Sequence, residues 1–205
     1  MPDYNNARRE ARATVVYAGP GLSGKTTNLE YIQAAMGRGE LVGINTEGER
    51  TVFYDLLPVK LGELPDGWRL TINLKTVPGQ IQYIGARKLV LRKPDAVVFV
   101  ADSSARRLEA NRYALDDLQR ILIDNANDLR RVPLVMQYNK RDLADRVPLD
   151  EMQEILNPGG APAWAARAVD GVGVFGTLGE AVSLVRARVV AELGDRMGVG
   201  IPAGV

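Results

Sequence analysis

The sequence predicts an α/β fold: a doubly wound, mostly parallel central sheet with helices on both faces and one antiparallel hairpin strand. Three observations carry this. Continuous apolar runs, Thr14–Ala18, Ala96–Ala101 and Val132–Tyr138, alternate with longer segments of helical period. A glycine-rich stretch, Gly19-Pro20-Gly21-Leu22-Ser23-Gly24-Lys25-Thr26, joins the first such run to the first helical segment. Polar clusters close the other two runs, at Asp102-Ser103-Ser104 and at Asn139-Lys140-Arg141-Asp142. In sheets of this kind ligands lie outside the carboxyl ends of the strands.

Each element has its own signal. The polar residues up to Arg12 read as an edge extension of the first strand or as a frayed end. Leu29, Ile32 and Met36 share one face of the first helix, which Gly37 and Gly39 end. Leu41 to Pro58 is irregular: an apolar start, a polar middle over Asn45–Thr51, and an apolar Val52–Leu57 stopped by Pro58. It reads as a surface loop or as a mobile segment facing the glycine-rich stretch. Val59–Leu64 and Trp68–Thr76 form a hairpin through the turn residues Pro65-Asp66-Gly67. A helix over Ile81–Leu91 precedes the strand at Ala96. The long helix after it carries Leu108, Leu115, Leu118 and Leu122 near helical spacing, with Arg106, Arg107, Glu109 and Arg112 off that stripe and read as a solvated face. Val147–Leu156 gives a short helix, Ala163–Val169 an Ala-rich strand, and Gly171, Gly173 and Gly176 a loop. The last helix shows Leu178, Val182, Val185, Val189 and Leu193 at i+3/i+4 steps. Residues 1–197 read as one domain without internal repeats, and Gly198–Val205 as a disordered tail.

Composition narrows the chemistry. The chain has 205 residues, 46% apolar and 25% charged, which suits one globular domain. Lys plus Arg number 26 against 25 Asp plus Glu, so no basic field points to nucleic acid. Cysteine and histidine are both absent, which excludes disulfides, His metal sites and His-based triads. No signal peptide is visible and no apolar run approaches the ~20 residues of a membrane span. The expectation is a cytoplasmic protein, monomeric by itself.

The glycine-rich stretch matches G-x-x-x-x-G-K-[ST], the phosphate-binding loop, in the strand–loop–helix context the motif requires. Gly19, Gly21 and Gly24 let the backbone curl, so that amides through Leu22, Ser23 and Thr27 face phosphate oxygens. Lys25 supplies the cation for the β- and γ-phosphates, and the Thr26 hydroxyl a ligand for Mg²⁺. Asn139-Lys140-Arg141-Asp142 is an N-K-x-D element. A carboxylate at Asp142 accepts from guanine N1–H and the exocyclic amine, a donor pair adenine lacks. Asn139 holds either the base edge or the phosphate loop, and the Lys140 stem covers the purine face.

On these residues the chain resembles the small Ras-like GTPases, P-loop NTPases with a Ras-like G domain. Within them it is similar to the bacterial MglA family over nearly its whole length. The resemblance rests on Tyr17–Leu29, Glu49–Pro58, Thr76-Val77-Pro78-Gly79-Gln80, Ala86–Leu91, Val98–Ser103, Gln137–Leu143 and Gly171–Phe175. It implies a GTP/GDP switch in cell polarity or motility. It also implies Thr51 on Mg²⁺ and the γ-phosphate, Gly79 N–H on the γ-phosphate, Gln80 orienting the attacking water, and Arg50 as an internal arginine finger. Ala168, followed by Val169, takes the place of the alanine whose amide touches guanine O6. A Roadblock-fold, MglB-like homodimer is the implied activating partner; the effector and exchange factor are not named.

Two positions depart from Ras-like proteins in general. Thr76 stands where D-x-x-G has its acid, a feature MglA proteins share, so Mg²⁺ rests on Thr26, Thr51, phosphates and water. Arg167-Ala168-Val169 replaces the usual Ser-Ala-Lys. Two alternatives stay open at this point: a pseudo-GTPase scaffold that binds nucleotide with little turnover, and a P-loop kinase or ATPase, against which Asp142 and Gln80 speak together.

Overall fold

The computed structural model describes residues 1–37, 42–44, 54–78, 84–126 and 132–197. Eight strands form one sheet in it: β1 (Asp3–Asn5), β2 (Glu10–Ala18), β3 (Val42–Ile44), β4 (Tyr54–Glu63), β5 (Arg69–Thr76), β6 (Ala96–Asp102), β7 (Leu134–Asn139) and β8 (Ala163–Ala165). The order is β3-β4-β5-β2-β6-β7-β8, with β1 paired to β2. β5, β2, β6, β7 and β8 run parallel, so their carboxyl ends share one edge. β2 lies between β5 and β6, and the chain leaves it toward both sides. This is the switch point at which such sheets open a crevice.

Among the described residues five helices cover the sheet: α1 (Lys25–Met36), α2 (Ile84–Val90), α3 (Leu108–Asp124), α4 (Leu149–Leu156) and α5 (Val174–Met197). The period-2 alternation of β2 sorts its side chains between two cores. Val15 and Tyr17 pack with Leu29 and Ile32 of α1 and Val185 and Val189 of α5. Val16 and Ala18 pack on the other face with Leu118 of α3 and Met152 of α4. α1 ends at Gly37 in the left-handed conformation (φ 59°), whose N–H returns to Gln33 O, as its sequence predicts.

The structure corrects three boundaries. Pro58 does not end an apolar segment; it lies inside β4, opposite Asn73 of β5. Among the described residues β3 pairs with β4 as far as Leu56, so no described ladder bond calls for the N–H that Pro58 lacks. The polar N-terminus is an extension rather than a frayed end, since Asp3–Asn5 pairs with Glu10–Arg12 as a hairpin. The last strand stops at Ala165, and Ala168–Asp170 is a 3₁₀ turn rather than strand. Gly171 (φ 82°) and Gly173 (φ 75°) bend the chain back there, and β8, with only three residues, has every side chain exposed. The predicted tail, the start of the predicted α2 and most of residues 41–53 lie outside the described residues.

One buried polar chain ties the helices to the sheet beneath its carboxyl edge. Asn28, Gln137 and Thr177 are fully buried. Asn28 Nδ2 donates to Gly24 O and to Gln137 Oε1, both at 2.9 Å. Gln137 Nε2 donates at 2.9 Å to Asn28 Oδ1 and to Thr177 Oγ1, which donates to Gly173 O at 2.8 Å. Every link is satisfied, so the network fixes how α1 and α5 sit on β7. Thr177→Val keeps the shape and leaves one buried N–H of Gln137 without its acceptor, while Gly173 O keeps the Thr177 N–H. It is expected to lower unfolding stability by about 1–3 kcal/mol in urea titrations, with Thr177→Ser close to wild type.

Candidate functional site

The glycine-rich loop leaves β2 at Ala18. Gly19 has φ 137°, and a Cβ there would lie 2.3 Å from Val100 O on the neighbouring strand β6. Only glycine fits this passage. Leu22 takes a left-handed φ of 65° with its side chain 88% exposed. Gly24 (φ 100°) caps α1, whose first turn carries no acidic side chain and no side-chain cap. The positive end of α1 therefore opens into the loop without an internal anion. The Lys25 ammonium is drawn into the same space. It is 7% exposed and donates to Gly19 O at 3.1 Å and Pro20 O at 2.7 Å. Glycine curl, helix terminus and held cation together make a site suited to an anion. The Thr26 hydroxyl stands exposed on the first turn beside it.

The base-side residues come from β7 and the segment after β8. Asn139, buried at the end of β7, joins the two halves. Its Nδ2 donates to Ser23 O at 2.8 Å, and its Oδ1 accepts from Ala168 N at 2.9 Å. Of the two roles the sequence left open for Asn139, the structure shows it on the phosphate loop. Ala168 is buried, with its amide committed to Asn139, while Val169 is exposed. Lys140 bends the chain at φ 65° and sends its ammonium to Asp102 Oδ2, 2.7 Å away. Asp142 is exposed just beyond it. Arg167 pairs with Asp170, and this bond together with the Asp142 charge raises the guanidinium pKa. The structure thus gathers Gly19, Gly21, Leu22, Ser23, Gly24, Lys25, Thr26 and Thr27 at the end of β2, and Asn139, Lys140, Asp142, Ala168 and Val169 at the ends of β7 and β8. Arg50, Thr51, Gly79 and Gln80 lie outside the described residues.

Sequence reading missed one cation. Arg107 does not belong to a solvated face; its Nη2 donates to Gly21 O at 2.7 Å, and its Nε lies 3.9 Å from Asp102 Oδ2. Off the apolar stripe of α3 it looked idle. Its position in the 3₁₀ turn Ala105–Arg107, directly after the carboxyl end of β6, was the available signal.

Comparison with known proteins agrees with this geometry. The model of the ADP-ribosylation factor (Arf) family matches residues 68–167, which include β5 and the N-K-x-D element. The mutual gliding-motility protein MglA of Myxococcus xanthus (strain DK1622) is 47% identical over 188 residues, 90% of this chain and 96% of that protein. The chain belongs to the MglA family of Ras-like small GTPases. The MglA-family match extends over most of the chain, so the mostly parallel sheet and its loops form the Ras-like fold expected from the sequence. As a small GTPase of this family the chain is a GTP/GDP switch. Among the described residues no helix is long and apolar enough to cross a membrane.

Proposed function

We propose that this MglA-family switch binds GTP and GDP across the crevice at the end of β2, with the phosphates in the Gly19–Thr26 loop and the guanine between Asp142, Lys140 and Val169. Asn139 supports the reading most directly, because one side chain bonds the phosphate loop and the Ala168 turn at once. A nucleotide is the ligand long enough to need both halves held in register.

Mg²⁺ fits the donors at hand. Thr26 offers a hard hydroxyl oxygen at the loop, and Thr51 is its expected companion. Thr76, in the position of the usual acid, is buried at 4% exposure. Among the described residues no cluster of three or more His, Cys, Asp or Glu stands ready for a metal. Mg²⁺ accepts such a sparse set because it keeps waters and binds phosphate oxygens. When bound, it neutralises charge on the β- and γ-phosphates. Hydrolysis then falls to Gln80, orienting water, and Arg50, supplying positive charge. Loss of the γ-phosphate releases Thr51 and Gly79, which is the switch. A motility or polarity role in the cytoplasm, and stimulation by a Roadblock-fold MglB-like homodimer, complete the proposal by relation to MglA.

Asp142→Asn tests the base assignment. Exchanging the carboxylate for an amide mismatches the guanine N1–H and amine donors, so GDP and GTP affinity is expected to fall by about 1–3 kcal/mol. Xanthine nucleotides, with a carbonyl in place of that amine, are expected to gain relative affinity. Competition binding with the four diphosphates reads both effects, and unchanged GDP affinity would remove the guanine assignment.

A further inference from the structure

The outer wall of the phosphate loop carries the contact that the G-domain motifs do not explain. Arg107 reaches from the turn before α3 to the Gly21 carbonyl at 2.7 Å. Behind the guanidinium lies the carboxylate of Asp102, buried at 3% exposure, with Oδ2 3.9 Å from Arg107 Nε. Asp102 is itself fixed on three sides. Its Oδ1 accepts from Ser104 N at 3.0 Å, its Oδ2 accepts from Lys140 Nζ at 2.7 Å, and its backbone N–H and C=O both bond to Asn111. Arg107 is therefore aimed, although its side chain is 34% exposed.

The consequence follows from peptide geometry. In a planar trans peptide the C=O of one residue and the N–H of the next point in opposite directions. Holding Gly21 O toward Arg107 turns the Leu22 N–H away from it, to the other side of the loop strand. Leu22 accepts the turn by adopting φ 65°, a left-handed conformation that strains a non-glycine residue. Its side chain does not repay this, being almost wholly in solvent. Among the described residues the Leu22 N–H meets no acceptor. A strained residue with an aimed, unused amide, held by a charged clamp, is built for a ligand oxygen.

We infer that Arg107 is a positioning residue that locks the Gly21–Leu22 peptide, so that the Leu22 N–H is presented to a phosphate oxygen of the bound nucleotide. This rests on the nucleotide reading above. Because Asp102 also holds Lys140, the clamp shares its anchor with the base loop, and its effect on the phosphate side has to be separated from an effect on the base.

The test compares wild type, Arg107→Ala and Arg107→Lys as GDP complexes. The rate of fluorescent GDP release and the amide ¹H–¹⁵N shifts of Leu22 and Ala168 are measured together. In Arg107→Ala release is expected to quicken about tenfold, the scale of losing one charge-assisted hydrogen bond that holds the site. The Leu22 amide moves upfield as its acceptor is lost, while the Ala168 amide stays in place. Arg107→Lys, which keeps a cation but not the two-armed fork, falls between; it also carries the test if the alanine variant does not fold. Wild-type release with an unmoved Leu22 amide would overturn the lock. So would equal movement of Leu22 and Ala168, which places the effect on the base loop or on folding as a whole. A wild-type protein that binds no GDP overturns the nucleotide reading itself, and the Arg107 comparison is not needed to see it.

Discussion

Arg50→Ala and Gln80→Leu are each expected to retain GTP binding and to lose about 10³-fold or more of partner-stimulated turnover, the scale on which a completed arginine finger acts. Both residues flank positions proposed above to meet the γ-phosphate: Arg50 precedes Thr51, and Gln80 follows Gly79. The described residues support the second placement from one side. β5 runs in register with β2 as far as Thr76 beside Tyr17, and Val77 N donates to Tyr17 O at 3.1 Å. The chain therefore leaves the sheet two residues before Gly79, alongside the strand that ends in the phosphate loop. On the proposed reading, ordering of Thr51 on Mg²⁺ would bring the adjoining Arg50 toward the same phosphates, where its charge would stabilise what builds up during transfer. The measurement is single-turnover GTP hydrolysis with a saturating Roadblock-type activating protein, with GTP affinity determined for each variant. An Arg50→Ala protein that hydrolyses like wild type would refute the internal finger and leave the cation to the partner.

Much of this architecture was legible because it is set by short-range chemistry. Gly37 ends α1 where a left-handed cap was called for, and the Leu64–Trp68 turn closes with Leu64 N on Trp68 O at 2.6 Å. The apolar run at Ala96 became a strand buried along its whole length because both faces of the sheet are covered there: Ala96, Val98 and Val100 enter one core, and Val97, Phe99 and Ala101 the other. What the sequence concealed depends on neighbours. Pro58 breaks a strand only where a ladder bond is needed, and nothing in residues 52–58 says which neighbour Pro58 faces in β4. Val169 has the β-branched shape of a strand residue, yet Gly171 and Gly173 turn its segment away from the sheet. The site divides the same way. Gly19, Gly24, Lys25 and Asp142 announce themselves by spacing. Arg107 does not, since its partner is a carbonyl 86 residues away and any residue could supply that carbonyl.

The second large effect is expected at Asn139, and it comes with a coupling. Asn139→Ala removes the donor to Ser23 O and the acceptor for Ala168 N, two backbone groups at a buried junction. Each group left unsatisfied costs about 1–3 kcal/mol, so GDP affinity is expected to fall by about 30-fold or more. Gly24→Ala is expected to weaken binding as well, for two separable reasons. Its φ of 100° strains any side chain, and the new Cβ would sit 2.3 Å from Asn139 Nδ2. Only the first reason survives when Asn139 is already alanine, because the clashing amide is gone. The two substitutions are therefore expected to be clearly less than additive, whereas residues acting independently add within a few tenths of a kcal/mol. GDP affinity of wild type, both single variants and the double variant closes the cycle. Strict additivity would mean that Asn139 acts on the nucleotide alone and not by bracing the Ser23–Gly24 segment against β7.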